Sequence, residues 1–239
     1  MKIAVSSGKE GTGKTFVSTS LAVTFTDMGR KVTYVDCDVE KPNKLLAFHP
    51  DITSVDPFTV QGRIEGRIKH GNLWSIDVHS GTTDSDDPQV ASQLINKMKT
   101  MAGKGITIFD SPSGMGFPLE ETLKDIDYCV LVIPPVDKTL LWLPHVIETC
   151  RSAGYRPGIV TNRNTFDSVS FLEMLELQDL PILGGIPYYD PRIEEICSEG
   201  NVVLDILPEY RDTFRRIAEN ILIEFDLNGN SHRQVAKAS

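Results

Sequence analysis

A chain of 239 residues can bury a sizeable core in one domain, and 40% hydrophobic with 24% charged residues is typical of a globular protein. No apolar run approaches the roughly 20 residues that a membrane span needs, so no membrane anchor is evident. A formal net charge of −9 offers no clustered basic surface, so nucleic acid is not a favoured partner.

The N-terminus and the cysteines indicate a cytoplasmic protein. The chain opens into the apolar run from Ile3 to Val5 without a signal-peptide pattern. The cysteines lie far apart, which is typical of reduced core thiols rather than of a metal site built by one chain. They are Cys37, Cys129, Cys150 and Cys197. A metal bridged between two copies by Cys129 or Cys197 stays open as an alternative.

Short β-rich apolar runs alternate with helical patterns along the chain. The runs cover residues 2–6, 31–35, 73–78, 105–109, 128–133, 157–161 and 182–186. Such alternation is typical of strands joined by crossover helices. The sequence therefore predicts an α/β fold with a mostly parallel, doubly wound sheet flanked by helices. We expect a single domain over residues 1–226 and a polar, frayed tail over residues 227–239.

Glycine and proline mark the helix boundaries. After the first strand, apolar residues recur at spacings of four and three up to Met28, and Gly29 lies where a helix ends. Pro88, Pro191 and Pro208 each precede a further amphipathic pattern.

Two stretches need separate interpretation. Residues 50–72 are polar and irregular, and we interpret them as a surface excursion. Residues 210–225 combine an apolar stripe with arginines, which also suits a helix at a membrane surface. Because a polar tail follows them, a core-facing last helix is favoured.

The loop after the first strand carries the strongest functional signal. Residues Gly8 to Thr15, GKEGTGKT, fit G-x-x-x-x-G-K-[ST] between a strand and a helix. Glycines expose backbone N–H groups to phosphate oxygens, and the helix N-terminus adds a favourable dipole. Lys14 would neutralise the β- and γ-phosphates, and the Thr15 hydroxyl would bind Mg²⁺.

A dinucleotide-binding loop is the nearest alternative. Asp36 follows the glycines by about 20 residues, where a ribose-binding acid would lie. The required G-x-G-x-x-G is absent, however, because Phe16 stands where the third glycine belongs. A nucleoside triphosphate with Mg²⁺ is therefore favoured.

Two predicted strands end in carboxylates. Asp36 and Asp38 end the run TYVDCD, and Asp110 ends ITIFD. Acids at strand ends are often helix caps or turn residues. Beside a phosphate-binding loop, we interpret them as groups that hold metal-bound water or orient an attacking water.

The loop and the carboxylates resemble the deviant-Walker-A P-loop ATPases of the MinD/ParA/Mrp group over residues 1–225. The mark of that family is a second loop lysine, here Lys9, which reaches across a dimer interface to the partner's ATP. The resemblance implies an ATP-dependent homodimer. It also implies that Asp36 holds a magnesium-bound water, Asp38 polarises the hydrolytic water and Asp110 is the Walker B acid.

The same resemblance implies the remaining site residues. Gly114 would sense the γ-phosphate, Asn162 and Arg163 would recognise adenine, and the segment from Ile186 to Pro191 would close over base and ribose. The implied catalytic residues are Lys9, Lys14 and Asp38, and the implied metal residues are Thr15, Asp36 and Asp110. The implied nucleotide-binding residues are Gly8, Lys9, Glu10, Gly11, Thr12, Gly13, Lys14, Thr15, Phe16, Gly114, Asn162, Arg163, Pro187, Tyr188 and Asp190.

Two departures from the family pattern stand out. DCDVEKPN (36–43) and GGIPYYDPRI (184–193) resemble MinD-like proteins with an inserted ferredoxin domain, but residues 50–72 lack the cysteines of that insert, so no cluster-carrying role is implied. Glu10 replaces a glycine, and we hypothesise that it pairs with Lys9 and restrains hydrolysis until a partner or the second subunit draws Lys9 away. Unchanged basal turnover and dimerisation in Glu10→Gly would contradict this hypothesis.

The sequence thus predicts a slow, partner-stimulated ATPase with ATP and Mg²⁺ as cofactors, acting as a dimerising switch. Its output would be either assembly or maturation of a partner complex or positioning of a cellular structure. The alternative is a small-molecule synthetase or kinase that passes the γ-phosphoryl group to a carboxylate. A binding module that does not hydrolyse ATP is less favoured, because three acids accompany the loop.

Overall fold

A computed structural model of the chain describes residues 1–38, 54–58, 61–70, 73–83, 88–100, 104–112, 117–134, 139–164, 179–187, 190–198 and 201–235. Within these ranges, the backbone alone is described for residues 54–83, 88, 117–118, 139–141, 164, 197–198 and 228–235. The predicted site residues Gly114 and Tyr188 lie outside the described residues.

The described strands form one nine-stranded sheet in the order β3-β4-β5-β2-β6-β1-β7-β8-β9. Strands β5, β2, β6, β1, β7, β8 and β9 pair in parallel, and the β3-β4 and β4-β5 pairs are antiparallel. The strands are β1 (Lys2–Ser6), β2 (Val32–Asp36), β3 (Ser54–Phe58), β4 (Gln61–His70), β5 (Leu73–Thr83), β6 (Ile106–Asp110), β7 (Tyr128–Ile133), β8 (Gly158–Asn164) and β9 (Ile182–Pro187).

The first four described helices each lie between two parallel strands, as the predicted crossover pattern requires, and the others follow the last strand. They are α1 (Lys14–Asp27), α2 (Pro88–Lys99), α3 (Phe117–Leu123), α4 (Thr139–Ser152), α5 (Pro191–Ser198), α6 (Val203–Ile206), a 3₁₀ turn (Pro208–Tyr210) and α7 (Arg211–Val235). The predicted start signals at Pro88 and Pro191 are the first residues of α2 and α5. Gly29 ends the first helix with φ 76°, and Arg30 N donates to Phe25 O across it. The predicted mostly parallel, helix-flanked α/β fold is confirmed.

The core has two layers because alternate residues of each central strand face opposite sides of the sheet. Ile3 and Val5 of β1 belong to the buried cluster that contains residues of α1 and α7. Ala4 of the same strand belongs to the cluster that contains residues of α2, α3 and α4. The loop after β1 therefore leaves the sheet between two packed layers, on a rigid base.

The interpretation of residues 50–72 as an irregular excursion is wrong for its described part. Strands β3 and β4 form antiparallel hairpins there, and β4 pairs with β5 from Gln61↔Thr83 to His70↔Leu73. The stretch therefore extends the sheet at the edge beyond β5.

The last helix packs in the core, as its apolar stripe predicts. Phe214, Ile217 and Ile221 are buried, and Phe16 of α1 makes edge-to-face contacts with Tyr210 and Phe214. The helix continues to Val235, so the first nine residues of the predicted frayed tail are helical. Among the described residues, no helix is both long and apolar enough to cross a bilayer.

Candidate functional site

The glycine loop joins β1 to the N-terminus of α1. Gly11 and Gly13 have φ 72° and 92°, which favours glycine at both positions. Gly13 is the N-cap of α1, and Val17 N donates to Gly13 O at 2.9 Å. The first N–H groups of α1 therefore point into the concave side of the loop, where an anion would bind.

The two loop lysines have opposite environments. The Lys14 side chain is 4% exposed, and its Nζ donates to the carbonyl of Lys9 at 3.4 Å. The Lys9 carbonyl also accepts from Ser7 Oγ at 2.8 Å, and Thr12 Oγ1 donates to Ser7 Oγ at 2.9 Å. Lys9 and its neighbour Glu10 are exposed. The loop thus fixes the backbone of Lys9 and directs the side chain of Lys14 inward.

Two side chains from other elements pack onto the loop glycines. A Cβ on Gly8 would lie 2.3 Å from Cε3 of Trp142 in α4, and a Cβ on Gly13 would lie 2.2 Å from Nδ2 of Asn162. Asn162 Nδ2 donates to Thr12 O at 2.7 Å. Asn162 therefore lies against the loop, and its amide holds the Thr12 carbonyl. The Trp142 contact carries no signal in the sequence, because an aromatic residue in an apolar helix is usually core.

The carboxylates meet at the carboxyl ends of two neighbouring strands. Asp36 and Asp110 are register partners on β2 and β6, and both are fully buried. Cys37 N donates to Asp110 O at 2.9 Å, and Asp38 N donates to Asp36 Oδ1 at 3.0 Å. The three acids predicted from the sequence are therefore brought together next to α1.

Asp110 is tied to α1 and to β2 by hydrogen bonds. Its Oδ2 accepts from Thr15 Oγ1 at 2.7 Å and from Tyr34 OH at 2.9 Å. Its Oδ1 is buried and accepts no hydrogen bond from any described residue. Burial raises the pKa of Tyr34, and the Asp110 and Asp36 charges add to it, so the phenol keeps its proton and donates.

These groups fit a Mg²⁺ ion bound with a nucleotide. Mg²⁺ is typically held by one or two carboxylates together with waters and substrate phosphates. Thr15 and the carboxylates of Asp36 and Asp110 supply such oxygens, and the buried Oδ1 of Asp110 has acceptor capacity that a metal-bound water would use. No group of three or more His, Cys, Asp or Glu suited to a metal occurs in the described part of the chain.

The cysteines do not contribute a reactive or bridging thiol where they are described. Burial raises the pKa of the Cys37 thiol, and the charges of Asp36 and Asp110 raise it further. Cys129 is fully buried and faces Cys150 at 3.7 Å between the two sulfur atoms. The alternative in which Cys129 bridges a metal between two copies is wrong, because this thiol is fully buried in the core. The side chain of Cys197 lies outside the described residues.

The remaining predicted residues that the structure describes are Arg163 on β8, Pro187 on β9, Asp190 directly before α5 and Phe16 on α1. Arg163 follows Asn162 with φ 64°, an unusual conformation for arginine. Asp190 accepts from Arg192 N and Arg192 Nε, both at 3.0 Å, so its carboxylate caps α5. Pro187 ends β9 and is exposed. The Phe16 ring is in the core, which leaves its backbone N–H for phosphate contact.

Comparisons with known proteins agree with this geometry. Residues 3–201 match the family described as the CobQ/CobB/MinD/ParA nucleotide binding domain. The chain is 24% identical over 217 residues to an uncharacterized ATP-binding protein of Methanocaldococcus jannaschii, covering 87% of this chain and 81% of that protein. It is 26% identical over 265 residues to the cytosolic Fe-S cluster assembly factor Nubp2 homolog of Aedes aegypti, covering 93% and 96%.

Solved structures give the same result. The septum site-determining protein MinD of Pyrococcus horikoshii, complexed with Mg-ADP, has a TM-score of 0.74 at 25% identity, and the match covers 92% of this chain and 95% of that chain. The cell division ATPase MinD of Pyrococcus furiosus has a TM-score of 0.71 at 26% identity, covering 92% and 97%. The resemblance inferred from the loop is confirmed, and the chain belongs to the CobQ/CobB/MinD/ParA family of nucleotide-binding domains.

Proposed function

We propose that this protein is a cytoplasmic, Mg²⁺-dependent ATPase that works as a dimerising switch for a protein partner. One observation carries the proposal: the loop has two lysines, of which Lys14 is buried in its own cradle and Lys9 is exposed. One ammonium suffices to neutralise the phosphates from within the chain. The exposed ammonium of Lys9 then serves the triphosphate of a second copy.

The chemistry would be positioning and charge neutralisation. The loop N–H groups and Lys14 hold the phosphates, and Asp38 orients the attacking water. Bound Mg²⁺ would supply charge neutralisation at the phosphate oxygens, held through Thr15, Asp36 and Asp110. Because Lys9 arrives only with a second copy, hydrolysis is slow in the monomer.

The output that we favour is assembly or maturation of a partner complex. A relative is named as an Fe-S cluster assembly factor, which supports this output, and other relatives are named MinD, which suits positioning. The described cysteines Cys37, Cys129 and Cys150 are free and buried, which supports a reducing compartment and a switch that carries no cluster on them.

The experiment is the oligomeric state of Asp38→Ala with ATP and Mg²⁺, measured by light scattering after size exclusion. Removing the carboxylate that orients water should trap a dimer, whereas the same protein with ADP should be monomeric. The matched control is Asp38→Ala combined with Lys9→Ala, which should stay monomeric with ATP. A monomer under all conditions, together with ADP release stimulated by a carboxylate substrate, would instead support a synthetase.

A further inference from the structure

We propose that Tyr34 is a positioning residue for the metal site: its phenol fixes the Asp110 carboxylate so that one oxygen is presented to metal-bound water. This inference rests on the proposed function, because it concerns the same Mg²⁺–nucleotide site. Tyr34 does not touch the nucleotide or the metal in this scheme and acts through Asp110.

The placement of Tyr34 follows from strand register. Tyr34 lies two residues before Asp36 on β2, so the two side chains leave the same face of the sheet. Its register partner on β6 is Ile108, two residues before Asp110. The Tyr34 side chain therefore lies on the same face of the sheet as the side chains of Asp36 and Asp110, and α1 covers this face.

Hydrogen bonds connect Tyr34 to two of the residues that would hold the metal, Asp110 and Thr15. Tyr34 OH donates to Asp110 Oδ2 at 2.9 Å and lies 3.3 Å from Ser18 Oγ. Ser18 Oγ is 3.0 Å from Thr15 O, and Thr15 Oγ1 donates to Asp110 Oδ2 at 2.7 Å. One carboxylate oxygen thus receives two donors from two different elements.

The two hydrogen bonds to Oδ2 of Asp110 determine which oxygen of this carboxylate is left to bind a metal-bound water. A carboxylate with a single hydrogen bond can rotate about its Cβ–Cγ bond and exchange its oxygens. With Thr15 on α1 and Tyr34 on β2 both bound to Oδ2, rotation would break both bonds. Asp110 Oδ1, which accepts no hydrogen bond from the described residues, is then held in one direction. Pre-organised ligands bind more tightly because less freedom is lost on binding.

The chain offers a matched control at Tyr128 on β7. Tyr128 is 2% exposed, close to the 1% of Tyr34, and its hydroxyl has no hydrogen-bond partner among the described residues. Tyr34→Phe and Tyr128→Phe therefore each remove one buried hydroxyl from the same sheet, and only the first removes a bond to a metal residue.

The experiment is the affinity of a fluorescent ADP analogue as a function of Mg²⁺ concentration, in both variants and in the unchanged protein. For Tyr34→Phe we expect the half-saturating Mg²⁺ concentration to rise by about threefold to tenfold, with the affinity in EDTA unchanged. For Tyr128→Phe we expect the Mg²⁺ midpoint of the unchanged protein. A residue that merely fills the core would lower the melting temperature without moving this midpoint.

Equal midpoints in Tyr34→Phe and the unchanged protein would overturn the inference and leave the proposed function standing. Absence of ADP binding by the unchanged protein would overturn both. Should Tyr34→Phe not fold, the unchanged sequence labelled with 3-fluorotyrosine replaces it, with resonances assigned from single Phe substitutions at the other five tyrosines. Adding Mg²⁺ to the ADP complex should shift the Tyr34 resonance and leave that of Tyr128 in place, and a stationary Tyr34 resonance would overturn the inference.

Discussion

Two glycines of the phosphate-binding loop are needed for different physical reasons. Gly11 has φ 72°, and a Cβ added there would have no described atom within 4 Å, so its backbone conformation requires glycine and its surroundings do not. Gly8 has the opposite requirement, because the indole of Trp142 occupies the space that a Cβ would take. Loop shape therefore depends on α4 as well as on the motif.

Gly8→Ala should destabilise the protein by about 1–3 kcal/mol and weaken ADP binding, because the added methyl group overlaps the rigid indole of Trp142. Urea unfolding and ADP titration measure the two effects. Adding Trp142→Leu should restore part of both. The control is Gly11→Ala, whose defect comes from backbone strain, so Trp142→Leu should not relieve it. Equal behaviour of the two glycine variants would contradict this explanation.

At the scale of elements, α2 and α3 are joined by polar contacts inside the helical layer. Lys99 Nζ donates to Glu121 O at 2.6 Å and also to Lys124 O, directly after α3. Burial raises the pKa of the Glu121 carboxyl, but hydrogen bonds from Lys124, Ser92 and Asn96 outweigh it and lower the pKa below its ordinary value. These contacts hold α3, the helix that follows Asp110 in the chain, against α2.

The lowered pKa of Glu121 predicts a pH dependence of stability. The carboxyl binds its proton less tightly in the folded than in the unfolded chain, so its contribution is complete above the ordinary value of 4.5 and is lost as pH falls through the folded-state pKa. Glu121→Gln should cost about 1–2 kcal/mol at pH 7 and less at pH 3, measured by urea unfolding. The exposed neighbour Glu120→Gln is the control. An equal cost at both pH values would contradict the prediction.

The parallel part of the sheet could be predicted because each strand is an apolar run followed by a helix signal. The predicted runs 2–6 and 128–133 coincide with β1 and β7, and the boundaries of the other runs differ by up to five residues. Strands β3 and β4 could not be predicted in the same way. Gln61–His70 carries charged residues and glycines with no apolar run, and its pairing with β5 is a long-range property.

The same distinction between local patterns and long-range contacts applies to the residues of the candidate site. The loop and the acids Asp36, Asp38 and Asp110 have a pattern in the sequence, because each ends or follows a strand. Tyr34 and Trp142 have none, since buried aromatic residues on a strand or a helix are normally core. Their contacts with Asp110 and Gly8 appear only when β2, β6 and α4 are packed together.

At the scale of the whole molecule, a dimer built on Lys9 would assign the residues of one catalytic centre to two chains. Lys14 and Asp38 would act within the chain that binds the nucleotide, and Lys9 would act on the partner's nucleotide. In a two-fold dimer each centre needs one copy of each group. Variants of the two classes should therefore complement each other.

Mixing Lys9→Ala with Asp38→Ala before ATP is added should restore hydrolysis that neither variant has alone. A mixed dimer keeps one centre with Asp38 and a partner Lys9, so random pairing in equal amounts gives about a quarter of the activity of the unchanged protein. Phosphate release measures it. The control mixes Lys9→Ala with a triple variant that carries Lys9→Ala, Lys14→Ala and Asp38→Ala. No dimer in this mixture has a complete centre. Full activity of Lys9→Ala alone would contradict the prediction.

The hydrogen bond from Lys14 Nζ to the Lys9 carbonyl gives the loop an internal substitute for a phosphate oxygen. Arriving phosphates compete for the same ammonium, so we expect occupancy of one pocket to loosen the main chain of the very residue that faces the second copy. Nucleotide binding and dimerisation would then both depend on the Lys9 carbonyl. After Lys14 has turned to the phosphates, this carbonyl would still accept the hydrogen bond from Ser7 Oγ.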